Sequence, residues 1–281
     1  MNVRAKPGPQ HPTGTPSETR FFGKTWFLTL TMNFFDHEHT LNIAHQGASA
    51  VAPPNTLAAF EKASELGADG VELDVHLSAD GVPVVIHDFT VDGTTDGSGR
   101  VAEMTLTQLK QLDAGSTFDP AFAGERIPTL KEVLDAVGSR LLLNIELKSF
   151  SLRDDGLERA VIARIEQCEL ADRVILSSFN PFSLRRAKNI APRIPAGLLY
   201  APHLSLPLRR AWLAFLVPHE ARHPEHTMVD ARYMAWARQH SYRVNTWTVD
   251  DPTEMRRLTD LQVDSIITNV PDVLCSLLAT A

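Results

Sequence analysis

From residue 41 to the C-terminus, short apolar runs alternate with stretches whose apolar residues recur at helical spacing. That alternation constrains the chain more than any other feature. Residues 41–45, 71–75, 83–87, 141–147, 174–178, 195–200, 243–249 and 264–268 read as strands. Leu57, Phe60, Ala63 and Leu66 mark one helix face, opened by Asn55 or Thr56 and closed by Gly67. Residues 129–137, 154–167, 181–189, 252–259 and 271–278 read as further helices. A helix between successive strands makes those strands parallel, so the class is α/β. Eight or nine candidate strands in about 240 residues predict a closed (β/α)₈ TIM-type barrel rather than an open doubly wound sheet. No G-x-G-x-x-G follows the first strand, which argues against a dinucleotide fold.

Three segments interrupt the rhythm. Asp80-Gly81 leaves no room for a helix between the second and third strands, so that stretch is a hairpin or an extended crossover. Residues 89–127 are too long for a simple loop and read as a small insertion after the third strand, on the strand-end face of the barrel. Residues 1–40 stand apart from the barrel of 41–281. Pro7, Pro9, Pro12 and Pro16 occur there without apolar periodicity, as in a disordered leader. The apolar stretch 21–32 is short, broken by threonines and not followed by A-x-A, so it does not fit a secretion signal. Met32 is an alternative start, which would make the upstream part a mis-called leader.

Composition excludes some functions. A formal net charge of −7 argues against general nucleic-acid binding, which needs a basic surface. Two cysteines cannot make a disulfide framework. No run approaches the roughly 18 apolar residues of a spanning helix, and the expected location is the cytoplasm. The segment 204–217 is apolar with Arg209, Arg210 and Trp212, and is a candidate for membrane-surface or acyl-chain contact. Packing over the barrel is the plainer reading. His219-Glu220-Ala221-Arg222-His223 fits the zinc pattern H-E-x-x-H, but Pro218 and Pro224 flank it and a loop is expected instead.

The chemistry gathers on strands. Glu72 and Asp74 are two apart and so share one face. Asn144, Glu146 and Lys148 repeat that spacing. Buried carboxylates side by side lose hydration and repel, so something positive must answer them. Lys148 could answer part of the charge in a salt-bridge cluster. Three carboxylates are also the oxygen set that a hard divalent cation, Mg²⁺ or Ca²⁺, prefers. His45 and His87 end the first and third strands, where barrel enzymes place catalytic groups, and suit general acid–base work. Trp247 lies at a strand end, either walling the pocket or packing in the core.

Several motifs, taken in order, resemble the glycerophosphodiester phosphodiesterase family. They are Ile43-Ala44-His45-Gln46-Gly47-Ala48, Pro54-Asn55-Thr56-Leu57, Gly67-Ala68-Asp69-Gly70-Val71-Glu72-Leu73-Asp74-Val75 and Val84-Val85-Ile86-His87-Asp88. Ile127-Pro128-Thr129-Leu130, Asn144-Ile145-Glu146-Leu147-Lys148, Ser177-Ser178-Phe179 and Trp247-Thr248-Val249 continue the series. The resemblance implies metal ligation by Glu72, Asp74 and Glu146, an acid–base pair of His45 and His87, and Lys148 near the phosphate. It implies metal-dependent hydrolysis of a small glycerophosphodiester to an alcohol and glycerol 3-phosphate. Two positions depart from the family pattern: Gln46 replaces an arginine that meets the phosphate, and Pro54 replaces a glutamate. Gln46 still donates a hydrogen bond but carries no charge, so phosphate binding or substrate choice is expected to differ. Lysophospholipase D action and a non-catalytic phospho-ligand barrel are the alternatives. The sequence leaves the oligomeric state open.

Overall fold

The structure is a computed structural model that describes residues 34–209 and 211–280. The leader through residue 33, with Met32 and the 21–32 stretch, lies outside the described residues, as does Arg210. The strands are β1 (Leu41–His45), β2 (Gly70–Leu77), β3 (Pro83–Val85), β4 (Leu142–Leu147), β5 (Val174–Ser178), β6 (Ala196–Tyr200), β7 (Ala221–Pro224), β8 (Arg243–Thr246) and β9 (Ser265–Thr268). The helices are α1 (Leu57–Glu65), α2 (Leu106–Leu109), α3 (Leu130–Val137), α4 (Leu157–Gln167), α5 (Pro181–Ile190), α6 (Leu206–Arg209), α7 (Ala231–Gln239), α8 (Pro252–Asp260) and α9 (Pro271–Leu278).

β1 pairs in parallel with both β2 and β9, which closes a ring of eight parallel strands. β3 is not a stave of that ring. It runs antiparallel to the far end of β2, with Val75 opposite Val85 and Leu77 opposite Pro83. The Asp80-Gly81 segment is therefore a hairpin turn, and Gly81 takes the left-handed backbone (φ 76°) that glycine tolerates. The eighth stave is β7, which includes part of the segment expected to be a loop. The H-E-x-x-H residues accordingly scatter. His219 stacks on Tyr242, Glu220 pairs with Lys188, and His223 is buried beside Asn245.

Period two divides each stave into two faces. On the outer face, Val71, Leu73, Val75, Leu143 and Ile145 are buried against α1 and α3, and full burial of each such side chain contributes about 1.5–3 kcal/mol. Thr56 and Thr129 cap those helices, Thr129 in a capping box with Glu132. On the inner face, Ile43, Leu142, Ile175, Ala221 and Ile267 cluster with Leu41 and Phe34. Phe34 is buried, and Arg243 donates to the Phe35 carbonyl, so residues 34–40 pack on the barrel rather than forming part of a loose leader. Further along the same staves the inner face turns polar: His45, Glu72, Asp74, Asn144, Glu146 and Ser177. The 89–127 insertion has its own small core of Val91, Val101, Leu109, Ala114 and Ile127 with Val84 and Ile86. The segment 204–217 is broken into α6 and a 3₁₀ turn. Ala214 and Val217 are buried there, while Phe215 and Leu206 are exposed. No helix among the described residues is long and apolar enough to cross a membrane.

Candidate active site

Register assembles the site. His45 on β1 lies opposite Glu72, Glu72 opposite Asn144, and Asp74 opposite Glu146. One oxygen from each of Glu72, Asp74 and Glu146 falls within 4.8 Å of the others. Lys148 Nζ sits 3.3 Å from Asp74 Oδ1 and 3.1 Å from Glu146 Oε1.

Asp74 is the most firmly held of the three. Its Oδ2 accepts from Gln46 Nε2 at 3.0 Å and from Asn55 Nδ2 at 2.9 Å. Both donors reach it because Gln46 and Asn55 take left-handed backbones (φ 56° and 59°), and Asn55 N donates to the Gln46 carbonyl at 2.9 Å. Thr56, not Asn55, caps α1. Asparagine adopts that backbone more readily than most residues.

The electrostatics follow from burial and count. Burial raises Glu72 well above the usual carboxylate range, and the Asp74 and Glu146 charges push it further. Burial also lifts Glu146, to about 7, against the pull of Lys148. Burial would raise Asp74 too, but Lys148 and the Asn55 hydrogen bond hold it low. Lys148 is pushed up despite burial, because Asp74 and Glu146 stabilise its charge. Three carboxylates against one ammonium leave 3 − 1 = 2 negative charges when all are ionised. That matches the charge of a divalent cation, and all three donors are hard oxygens. Glu72, Asp74 and Glu146 therefore suit such an ion.

His45 Nδ1 meets Asn269 Oδ1 at 2.7 Å. The Asn269 amide nitrogen donates to Asp250 at 2.6 Å, which fixes its oxygen toward His45. His45 must then carry its proton on Nδ1, leaving Nε2 free, 3.9 Å from Glu72. Burial lowers the His45 pKa. His87 Nδ1 meets Asp88 Oδ1 at 2.7 Å, which leaves its Nε2 free in the same way. His87 lies just beyond β3, so it is carried by the hairpin extension and not by a stave.

One cavity of about 280 Å³ is lined by His45, Glu72, Asp74, His87, Glu146, Lys148 and Trp247. Trp247 follows β8, donates its ring N–H to the His223 carbonyl at 2.8 Å and meets Phe179 edge-on. Gln46 does not line this cavity. It borders a small cleft with Pro54, Asn55 and His87, and its amide faces Asp74. Sequence reasoning missed Asn269, Asp250 and Asn55. Asn269 is 224 positions from His45, and only barrel closure joins them.

The barrel thus brings three clustered carboxylates and two histidines, His45 at the end of β1 and His87 just beyond β3, to one cavity. A sequence model of the glycerophosphoryl diester phosphodiesterase family matches residues 45–273. The glycerophosphodiester phosphodiesterase of Caldanaerobacter subterraneus subsp. tengcongensis is 44% identical over 239 residues, spanning 85% of this chain and 97% of that protein. A phosphodiesterase of Oleispira antarctica, solved in complex with the product sn-glycerol-3-phosphate, is 32% identical with a TM-score of 0.74. The match covers 84% of this chain and 96% of that one. The glycerophosphodiester phosphodiesterase of Agrobacterium tumefaciens is 29% identical with a TM-score of 0.71, covering 84% and 99%. The chain belongs to the glycerophosphoryl diester phosphodiesterase family.

Proposed function

We propose that this chain hydrolyses glycerophosphodiesters to an alcohol and glycerol 3-phosphate, using a divalent cation and the His45/His87 pair. The observation that carries the reading is the cavity itself. Two imidazoles, each with Nδ1 bound to an oxygen and Nε2 free, share it with three buried carboxylates and one ammonium. A pure binding site has no need of two proton-transfer groups.

Glu72, Asp74 and Glu146 would hold the cation, Mg²⁺ or Ca²⁺. Bound there, it would polarise a phosphoryl oxygen and lower the pKa of a nearby hydroxyl. One histidine takes the proton of the glycerol 2-hydroxyl as that oxygen attacks phosphorus. The other protonates the departing alcohol. Water then opens the cyclic phosphate with the two roles reversed. The neighbouring hydroxyl has the advantage of proximity over free water. Lys148, fixed by Asp74 and Glu146, would offer the phosphate a positive charge at the cavity wall, and Trp247 lines the same cavity.

The test is turnover of glycerophosphocholine by the purified chain with Mg²⁺, Ca²⁺ or EDTA, beside His45→Ala and His87→Ala. Metal-dependent turnover that both variants lose supports the reading. Absence of turnover with either ion leaves the non-catalytic phospho-ligand barrel in its place. A 2-deoxy substrate cleaved at the normal rate would sink the cyclic route.

A further inference from the structure

β2 carries more than two carboxylates. Glu72, Asp74 and His76 alternate along it, so all three side chains leave the same face of the strand. His76 is 5% exposed. Its Nε2 lies 3.1 Å from the main-chain carbonyl of His87. A carbonyl has no proton to give, so His76 carries one on Nε2 and donates it. Aromatic packing holds the ring in that orientation. Phe89 meets it edge-on with centroids 4.7 Å apart, and Phe89 in turn stacks on Phe150 at 5.0 Å.

The contact matters because of where His87 sits. β3 ends at Val85, and His87 stands in the bend that follows. Ile86 N donates to the Asp74 carbonyl at 3.0 Å, which carries the pairing with β2 one residue past β3. Asp88 holds the His87 ring through Nδ1, but it is the next residue of the same bend and is half-exposed, as is the His87 ring. Asp88 therefore orients the ring without locating the bend. His76 does locate it, because it belongs to the strand that bears Glu72 and Asp74. One buried stave thus carries two of the three carboxylates and the donor that ties down His87.

We propose that His76 is a positioning residue for His87: its Nε2–H fixes the His87 main chain and so sets where that imidazole stands relative to the reacting atoms. The proposal rests on the reaction proposed above. His76 itself touches neither the substrate nor the transferred proton. A proton-transfer group works only within hydrogen-bond reach of the atom it serves, and about 1 Å of misplacement costs on the order of 10²-fold in rate. Loss of the tether leaves the His87 ring, its Asp88 contact and the three carboxylates in the chain, but widens the range of positions the ring samples. The effect falls on kcat rather than on KM.

The experiment measures kcat and KM for glycerophosphocholine with Mg²⁺ or Ca²⁺ in His76→Phe and His76→Gln, each alone and combined with His87→Ala. Phenylalanine keeps a ring and removes the donor, whereas glutamine keeps a donor at the reach of Nε2. His76→Phe should lower kcat tenfold or more with KM within about twofold, and His76→Gln should recover most of the loss. In the His87→Ala background, His76→Phe should change kcat by less than about twofold, because the group it positions is gone. Unchanged kcat in His76→Phe, an equal loss in both backgrounds, or a glutamine variant no better than phenylalanine overturns the proposal. His76→Met takes the place of His76→Phe if the latter does not fold. If the wild type does not turn over glycerophosphocholine, or His87→Ala is fully active, the reaction reading has failed. The ¹³C resonance of the His87 carbonyl then decides the tether. A shift in His76→Phe that His76→Gln lacks upholds it, and a resonance unmoved in both overturns it.

Discussion

Replacing Lys148 with methionine removes the ammonium that answers three buried carboxylates. Its Nζ lies 3.3 Å from Asp74 and 3.1 Å from Glu146. At an effective dielectric of about 20, each pair attracts by about 5 kcal/mol before desolvation is counted. Breaking a buried pair costs less than that sum, about 3–5 kcal/mol, most of it the price of an uncompensated charge. The loss must depend on pH. Glu146 is raised from 4.5 to about 7, so the folded state holds a proton that the unfolded state has released across that interval. Its contribution is therefore full below 4.5 and lost as pH rises through 7. The span is (7 − 4.5) × 1.36, about 3 kcal/mol. Glu72 is raised for the same reasons and adds to the slope in the same direction. Without Lys148 both carboxyls hold their protons to higher pH, and the slope extends upward. Urea unfolding in EDTA, followed by tryptophan fluorescence, should show Lys148→Met about 3–5 kcal/mol less stable at pH 8 and less destabilised at pH 5.5, where Glu146 is protonated but Asp74 still loses its partner. Ca²⁺ should recover part of the loss at pH 8, since a ligand bound to the folded state stabilises it. Equal destabilisation at both pH values would refute the electrostatic account and leave only lost packing.

Further outcomes follow from named contacts. His87→Ala should lower kcat by about 10²–10⁴ in the glycerophosphocholine assay while the melting temperature stays within a degree or two, because its half-exposed ring holds little of the fold together. Asn269→Ala should lower kcat about 10- to 150-fold with a smaller change in KM, the worth of a hydrogen bond to a group that becomes charged, and Asn269→Asp should not restore it, because a carboxylate there would face Asp250 where the amide now donates. Imidazole ¹⁵N shifts of His45 should show the Nδ1–H form in the wild type and lose that bias in Asn269→Ala. Gly197→Ala should cost about 1–3 kcal/mol by thermal unfolding, since the new Cβ would lie 2.2 Å from His223 Nε2, a ring fixed by Asn245.

The sequence carried the barrel because period two and period 3.6 are written locally. The helices at 181, 252 and 271 each begin with a proline, and their starts were placed to the residue. The eight expected strands nonetheless included one that is not a stave. β3 reads like a barrel strand, but its pairing partner depends on a two-residue turn whose geometry the sequence left undecided. β7 was hidden because an arginine, a histidine and flanking prolines look like a loop, and the barrel interior that buries His223 is a tertiary property. Glu72, Asp74 and Glu146 were legible for a similar local reason, their alternate spacing along a strand face, and the histidines because each directly follows an apolar run. The contacts that orient them were not, because Asn269 and Asp250 reach His45 only after β9 closes on β1.

The substitution at Gln46 takes on physical sense through Asp74. An arginine at that position would set a full positive charge beside Asp74. The glutamine instead turns inward, and together with Asn55 it saturates one oxygen of Asp74, leaving the other to Lys148. Asp74 is thus ionised and immobile before any cation arrives. Glu72 and Glu146 are not: their raised pKa values mean that part of their charge appears only when something positive enters. The three carboxylates form a graded set, one fixed by neutral amides and two that gain full charge only beside something positive. A cation bound there would displace the protons of Glu72 and Glu146, so its affinity would rise with pH. With glutamine at position 46, the positive charge offered to a phosphate would come from Lys148 and from a cation held by the three carboxylates.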